Sequence, residues 1–215
     1  SMYVLVTVTI DPNQSNLPFV IEDSLQFAVQ GLAQPQKVRL RAYGQNATFL
    51  RDDEICTTTW SDTLKPYVII NSLVVNPGCV LTINEGVKVK FLPNSFLIVG
   101  GTLIVNGTSK HPVIFNGFRK EPEFARQSGQ WGQIVFVGGS RNNKINHAII
   151  ENAFRGIQTN VPEDGNQPVS LFLSNTIIRS MSGTGLLAFN SNITAWNNLI
   201  YDCASNLSAC VQGGN

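Results

Sequence analysis

The sequence has few charged residues. Asp, Glu, Lys and Arg make up 13% of its 215 residues, about half of the ~25% that is usual in soluble domains. The formal net charge is +1, so the composition carries no electrostatic footprint for nucleic acid or for an anionic membrane surface. No apolar run approaches the ~20 residues of a membrane-spanning helix. We therefore expect no nucleic-acid partner and no membrane-spanning segment.

Signals for α-helices are also scarce. The best candidate is the run KINHAIIENAFRGI (144–157), in which Ile145, Ile149, Ala153 and Ile157 recur every four residues. That spacing fits one face of a helix. However, the run lies between glycines, and its Asn and Ile content disfavours a helix. The sequence therefore predicts an all-β chain.

The four cysteines show no metal-binding or redox spacing. They are Cys56, Cys79, Cys203 and Cys210, and no two of them form C-x-x-C, so a zinc or redox site is not expected. A disulfide between Cys56 and Cys79 would close a loop of roughly 24 residues and stabilise the fold by ~3 kcal/mol. Buried free thiols are the alternative. A disulfide would imply an exported protein.

One short phrase recurs along the second half of the chain. It occurs as HAIIENA (147–153), NTIIRSM (175–181) and NNLIYDC (197–203), which places the aligned apolar pairs 28 and 22 residues apart. A second short apolar run follows each phrase. A repeat of this length, with strands and turns in every unit, predicts a solenoid.

The middle of the chain follows the same pattern. The stretches VLTINEGVKVKF (80–91) and GQIVFVGG (132–139) place inward Val, Ile, Leu or Phe at period two, and Gly or Asn residues punctuate the strands. Asn106-Gly107 favours a tight hairpin when taken alone. The repetition instead predicts that this pair turns a corner of a right-handed parallel β-helix, with some Asn side chains hydrogen-bonded along the axis.

The first residues differ from the rest. The stretches MYVLVTVTI, PFVIEDSLQFAV and QKVRLRAYG alternate apolar and polar residues, as antiparallel strands with one solvated face do. We therefore divide the chain into an antiparallel segment from a partial β-sandwich (1–50), a charged linker (51–66) and the parallel β-helix (67–215). Because both ends are abrupt, we expect an internal piece of a longer chain, with the β-helix truncated at its C-terminus.

The order of motifs resembles a known family. The stretches KPYVIINSLVVNPGCVLTINEGVKVKF, GGTLIVNGTSKHPVIFNG and GQWGQIVF, followed by NNKINHAIIENAFRGI, are similar to right-handed parallel β-helix surface lipoproteins of Bacteroidetes-type bacteria. The resemblance covers about residues 57–215. It implies export, a lipid anchor outside this sequence and an outer-membrane surface location. The fold is shared with pectate lyases, but a shared fold does not carry a shared activity.

Residues for catalysis are hard to identify. In the β-helical part, no two carboxylates occupy equivalent places in neighbouring repeats, whereas glycosidases need a pair at a defined distance. The strongest acidic candidates, Glu121 and Glu123, lie on the insertion 117–130 close to Arg126; a solvated, self-neutralised loop is the alternative. His111 and His147 lack a third metal ligand. We predict no catalytic residue, no cofactor and no metal site.

Aromatic residues give the second functional candidate. Trp131, between glycines, is expected to pack across a corner of the solenoid, whereas Trp196 is the better candidate for an exposed binding residue. The sequence therefore predicts a non-catalytic cell-surface module that presents a rigid face to a glycan or to an outer-membrane protein complex. Two alternatives remain: a polysaccharide lyase or glycoside hydrolase, and an accessory subunit of an uptake or secretion complex.

Overall fold

The computed structural model describes residues 4–9, 19–28, 30–31, 33–119, 121, 124, 126–160, 170–189 and 191–210, with the backbone alone for 206–210. Contacts divide the chain into two units, residues 1–46 and 47–215. The described residues of both units contain no α-helix. In the described part of the chain, no helix is long and apolar enough to span a bilayer.

The first unit contains one antiparallel pair. Strand β1 (Phe19–Phe27) pairs with β2 (Gln36–Gly44), so that Phe19 lies opposite Gly44. Two of the three expected strands are therefore present. Residues 4–9, which were expected to belong to a strand, form none, and Leu5 is 83% exposed. An apolar–polar alternation yields a strand only where a neighbouring strand completes its hydrogen bonds, and no described strand pairs with these residues.

The second unit is a parallel β-helix, as the sequence predicted. Its described strands are β3 (Thr48–Ile55), β4 (Thr58–Trp60), β5 (Tyr67–Val75), β6 (Val80–Asn84), β7 (Lys88–Phe91), β8 (Phe96–Val99), β9 (Thr102–Asn106), β10 (Val113–Gly117), β11 (Ile134–Phe136), β12 (Asn143–Asn146), β13 (Ala148–Glu151), β14 (Ile157–Asn160), β15 (Leu171–Ser174), β16 (Ile177–Phe189), β17 (Ile193–Trp196) and β18 (Leu199–Cys210). All pairings among these strands are parallel.

Each coil contributes three strand segments. The first segments form one sheet, in the order β17-β15-β12-β9-β6-β4, and the second and third segments form a larger bent sheet. Strands β3, β5, β16 and β18 run through the bend and so supply both the second and the third segment. The bend is made by residues with positive φ, such as Asn71, Asn152, Ser180 and Asp202, a conformation that Asn and Asp tolerate better than most residues.

The recurring phrase has the predicted register. Ile149 lies beside Ile177 and Ile177 beside Leu199, while Ile150, Ile178 and Ile200 form the adjacent row. The helix-like spacing in 144–157 is therefore produced by strands β12, β13 and β14. The expected asparagine ladder is present as well: Asn197 donates to the side chain of Asn175, which donates to Asn146 at 2.8 Å.

The Asn-Gly pair turns a corner, as predicted, rather than closing a hairpin. Asn106 ends β9, which pairs in parallel with β6 and β12. The amide nitrogen of Gly107 donates to the carbonyl oxygen of Asn146 on the next coil, at 2.9 Å. A Cβ atom at Gly107 would collide with the carbonyl oxygen of His147, so the close stacking of the two coils requires glycine here.

The interior is a stack of aliphatic rows. On the third segments, Leu73, Leu97, Ile134, Ile157 and Leu186 lie in register on five successive coils, and none is more than 5% exposed. Each side chain of this kind contributes roughly 1.5–3 kcal/mol when fully buried. The period-two alternation of the sequence decides which side chains point inward.

Residues 51–66 differ from the expected linker. Most of β3 and all of β4 lie in this range, and they pair in parallel with β5 and β6. The charge cluster suggested a solvated connection, but charged side chains on the outer face of a strand do not prevent pairing of its backbone. Cys56, which follows β3, forms a disulfide with Cys79, which precedes β6, with a Cα–Cα distance of 4.7 Å.

Candidate functional site

The insertion 117–130 holds three of the candidate residues from the sequence. Within it, Arg119 forms an ion pair with Glu121 at 2.9 Å and lies over the ring of Phe124 at 3.7 Å. Glu121 is thus neutralised inside the loop, as the self-neutralised alternative proposed. Glu123 lies outside the described residues. Arg126 forms no ion pair or hydrogen bond within the described part of the chain, and its side chain is exposed.

The end of this insertion is fixed to the wall of the β-helix. The side-chain amide of Asn152 donates to the carbonyl of Gln127 at 2.9 Å, and the amide nitrogen of Gly129 donates to the carbonyl of Ala153 at 3.1 Å. Trp131 then enters the core: it is 1% exposed and stacks on Phe91 with a centroid distance of 3.9 Å. This confirms the packing role that was expected for Trp131.

A groove lies between the insertion and the bent sheet. Its volume is about 560 Å³, which falls within the usual range of small-molecule sites. We call it the wall groove, and it is lined by Arg126, Glu151, Arg179, Ser180, Tyr201 and Asp202. Of these described lining residues, Arg126 belongs to the insertion and the others lie on three successive coils.

The register of the sheet positions the main polar side chains. Glu151 lies beside Arg179, and Arg179 beside Tyr201, so these residues form an outward column on β13, β16 and β18. Neighbouring strands are ~4.8 Å apart. Three different polar groups therefore follow one another along the axis at the spacing of the coils. Strands β13 and β16, which carry Glu151 and Arg179, are each paired with a strand on both sides.

The column is held together by charge-assisted hydrogen bonds. Arg179 donates through Nη2 and Nε to Oε2 of Glu151, at 2.7 and 2.9 Å, and through Nη1 to the Tyr201 hydroxyl at 3.2 Å. These contacts raise the pKa of Arg179, with the Tyr201 hydrogen bond as the largest cause and the Glu151 hydrogen bond next. Asn116 donates to the other oxygen of Glu151 at 3.1 Å. Both carboxylate oxygens of Glu151 are therefore engaged.

A second column borders the first. Ser180 and Asp202, both with positive φ, follow Arg179 and Tyr201 on the same strands. The Ser180 hydroxyl donates to Oδ2 of Asp202 at 2.8 Å. Arg126 and the outer oxygen of Asp202 are the charged atoms of the groove that have no partner within the described residues, whereas Glu151 and Arg179 neutralise each other.

Trp196 lies away from the wall groove. It ends β17 in the other sheet and is 51% exposed, which agrees with its predicted exposure but does not place it among the groove residues. Leu199 and Tyr201, on the same coil, are 54% and 38% exposed. The exposed aromatic that the structure does bring to the groove is therefore Tyr201.

Sequence reasoning missed most of the groove. Glu151 and Asp202 were set aside because they occupy different positions in their repeats, yet both line one cavity. The missed signal was the residue that follows each aligned apolar pair, which is Glu151, Arg179 and Tyr201 in turn. A column that reads acid, base and phenol at equivalent positions indicates a paired ladder.

The part of the chain that the structure describes contains no group of three or more His, Cys, Asp or Glu side chains that could hold a metal ion. His111 lies at an exposed corner, whereas His147 has positive φ and a buried Nδ1 atom that has no hydrogen-bond partner.

Comparison with known proteins supports the fold. Protein bark beetle of Drosophila melanogaster is 34% identical over 105 residues, which is 47% of this chain. The match spans about 3% of the length of that protein. No solved structure matches the chain at a significant level. A sequence model described as a pectate-lyase-like β-helix domain matches residues 54–164. Since that match covers just over half of the sequence, the chain belongs to the family of pectate-lyase-like β-helix domains.

Proposed function

We propose that this chain is a non-catalytic binding module of an exported protein, and that the wall groove holds part of a glycan. One observation carries the proposal. The groove combines a mutually neutralised Glu151–Arg179 pair with groups that keep hydrogen-bonding capacity for a ligand. These are the Arg126 guanidinium, the hydroxyl hydrogen of Tyr201 and the second carboxylate oxygen of Asp202. Sugar hydroxyls donate and accept hydrogen bonds, so they suit a site that offers guanidinium donors beside carboxylate acceptors.

The state of Glu151 favours binding over catalysis. A general acid or base must exchange a proton with its substrate. Glu151 instead accepts hydrogen bonds at both oxygens, from Arg179 and Asn116, and its side chain is only 13% exposed. Its role in the proposal is to orient the Arg179 guanidinium and, through it, the Tyr201 hydroxyl.

The binding test uses three single variants of open groove residues. Wild type, Arg126→Ala, Tyr201→Ala and Asp202→Asn are applied to an array of bacterial, plant and animal polysaccharides. We expect one glycan class to bind the wild type, and each variant to weaken that binding. Lys144→Ala, an exposed change on β12 in the other sheet, is the matched control. A glycan that binds all three groove variants as tightly as the wild type contradicts the proposed site.

A specific observation favours hydrolysis as the second candidate. Glu151 and Asp202 both line the wall groove, and they lie two coils apart, so their backbones are separated by ~10 Å. Inverting glycoside hydrolases hold their two carboxyl groups ~6.5–9.5 Å apart. Release of reducing ends from a bound glycan, abolished in both Glu151→Gln and Asp202→Asn, would establish hydrolysis and exclude a purely binding role.

Export and surface attachment are further parts of the proposal. The Cys56–Cys79 disulfide supports export, because disulfides persist mainly in oxidising compartments. A lipid anchor on the outer-membrane surface is what the resemblance to bacterial lipoproteins implies. Fractionation of cells that express the full-length protein, with metabolic labelling by a fatty acid, tests the anchor. Recovery of unlabelled protein in the cytosol would contradict both.

A protein partner is the alternative to a glycan ligand. If the module is instead an accessory subunit of an uptake or secretion complex, it should co-purify with an outer-membrane protein when membranes are extracted under mild conditions. Loss of that partner in the three groove variants, in the absence of any glycan binding, would favour the accessory role.

A further inference from the structure

A second cavity lies at a different corner of the β-helix. It is formed where the first segment of a coil turns into the second, by residues between β6 and β7 and between β9 and β10. Its volume is about 470 Å³. We call it the basic corner, and its polar lining is Thr63, Glu85, Lys88, Lys110 and His111.

The backbone of this corner is well fixed. The carbonyl oxygen of His111 accepts from the amide of Gly86 at 3.0 Å, which ties two coils together. The amide of His111 donates to the Thr108 hydroxyl at 3.1 Å, and that hydroxyl donates to Glu85 at 2.8 Å. The single carboxylate of the corner is therefore turned toward Thr108, and the imidazole of His111 projects from a braced turn.

The positive charge of the corner exceeds its negative charge, because two lysines line it against the one carboxylate of Glu85 among the described residues. Lys88 and Lys110 are exposed, and neither forms an ion pair or hydrogen bond with any described residue. Lys88 is on β7 and Lys110 precedes β10, so the two ammonium groups come from successive coils. The two lysines and Glu85 together leave a net charge of +1 on the described lining, and the His111 imidazole adds a polar N–H group.

The donor types indicate the shape of the anion. Planar carboxylates are matched best by the two-pronged guanidinium of arginine, and the described lining of the basic corner contains no arginine. Lysine ammonium groups act as point charges with three donors each, and an imidazole adds a single directed N–H. Donors that converge from separate side chains suit a tetrahedral oxyanion.

We propose that the basic corner is a binding site for a sulfate or phosphate ester group, held by Lys88, Lys110 and His111. The site is distinct from the wall groove, because the two cavities share no lining residue among those that the structure describes. Its concave form, with half-buried Pro112 and Ile114 beneath the charges, suits a discrete ester group better than a flat bilayer.

The test measures binding of dextran sulfate, of neutral dextran of the same length and of inorganic phosphate. We expect the intact 215-residue chain to bind dextran sulfate and not neutral dextran, and binding should weaken as salt increases. In the double variant Lys88→Ala/Lys110→Ala, affinity should fall roughly tenfold, because each exposed charge pair is worth a few-fold in affinity. His111→Ala should add a smaller loss. If inorganic phosphate competes with dextran sulfate, the site recognises a free oxyanion. If inorganic phosphate does not compete, the site recognises the ester group of the polymer.

Three controls distinguish the outcomes. Lys144→Ala removes one exposed lysine elsewhere and should leave binding unchanged. Arg126→Ala should also leave it unchanged, so failure of the wall groove and failure of the basic corner are separable. Equal binding of dextran sulfate by the double variant and the wild type would overturn the proposal. So would binding to phosphatidylglycerol vesicles without binding to dextran sulfate, because it would assign the corner to a membrane.

Discussion

The inner and outer faces of the same coils are organised in opposite ways. Inside, Leu97, Ile134 and Ile157 repeat one kind of side chain on successive coils. Outside, Glu151, Arg179 and Tyr201 change from acid to base to phenol at the same step. Dispersion and burial depend on volume, so a uniform inner column is favourable. Polar groups need complementary partners, so an outer column must alternate.

The contrast between the two faces indicates which substitutions can change ligand binding without unfolding the protein. An inner residue is restricted by packed neighbours on all sides, whereas an outer residue is restricted mainly by the residues above and below it. The wall groove and the basic corner are two different outer arrangements: the first contains the neutralised Glu151–Arg179 pair, and the second contains two lysines that form no ion pair with a described residue. Stability should therefore depend on the inner face, and ligand binding on the outer face.

The largest effect on stability is expected for Ile134→Ala. Ile134 is fully buried between Leu97 and Ile157, so truncation should lower the free energy of unfolding by about 2–5 kcal/mol. Urea unfolding followed by circular dichroism measures the change. The matched control is Ile98→Ala, which alters the same residue type on the half-buried outer face of β8 and should cost about 1 kcal/mol. Equal losses for the two variants would remove the distinction between the faces.

Removal of the disulfide should have the next effect. The double variant Cys56→Ser/Cys79→Ser opens a link across 23 positions of sequence, which should cost about 3 kcal/mol. The loss should be seen in urea unfolding of the variant, and addition of a reductant to the wild type should reproduce it. Binding at the wall groove should be preserved at low urea. A variant that keeps full stability but loses groove binding would show that the link serves the outer face.

A smaller effect is expected for Arg179→Met on the outer column. The methionine keeps much of the side-chain length but leaves Glu151 without its cation, which should cost about 1–2 kcal/mol of stability and abolish groove binding. Adding Glu151→Gln to this variant should recover part of the stability, because the half-buried charge is then gone, but should not recover binding. Full recovery of binding in the double variant would show that the pair has no role in recognition.

The smallest expected effect concerns Cys203. This free thiol is partly buried at an inward position beside Met181, and burial raises its pKa. Since the thiolate is the reactive form, a raised pKa means less thiolate at neutral pH and slower alkylation by iodoacetamide than in a Cys peptide. The rate should rise as pH increases. Mass spectrometry of peptides from the native and the unfolded protein gives the rate at this residue, and equal rates would place Cys203 outside the inner face.

The fold could be predicted from sequence to the level of individual rows. The phrases around Ile149, Ile177 and Leu199 align in the sequence in the same register as their strands pair, because inward and outward positions must keep their phase from coil to coil. The structure differs from the prediction where pairing depends on neighbours rather than on pattern. Residues 4–9 have the alternation of a strand without a described partner, and residues 51–66 look like a linker but pair with the following coil.

The candidate sites were predicted only in part. Arg126 lines the wall groove, but Glu121 is engaged by Arg119 and Trp196 lies elsewhere. The groove depends on the return of the insertion to the wall through Asn152, which no local pattern encodes. The basic corner depends on the stacking of successive coils. Lys88 and Lys110 are distant in the sequence, and they line one cavity only because their coils are neighbours.

The repeat, the alternation of inward and outward residues and the corners follow from the sequence alone, because they depend on local geometry with a period of two and on the backbone preferences of Asn and Gly. Which outer side chains meet depends on how the coils stack in the folded protein. A coil can vary in length, from 22 to 28 residues between the aligned pairs, without disturbing its stacked strands. The residues that lengthen a coil then place charged side chains next to residues that are distant in the sequence.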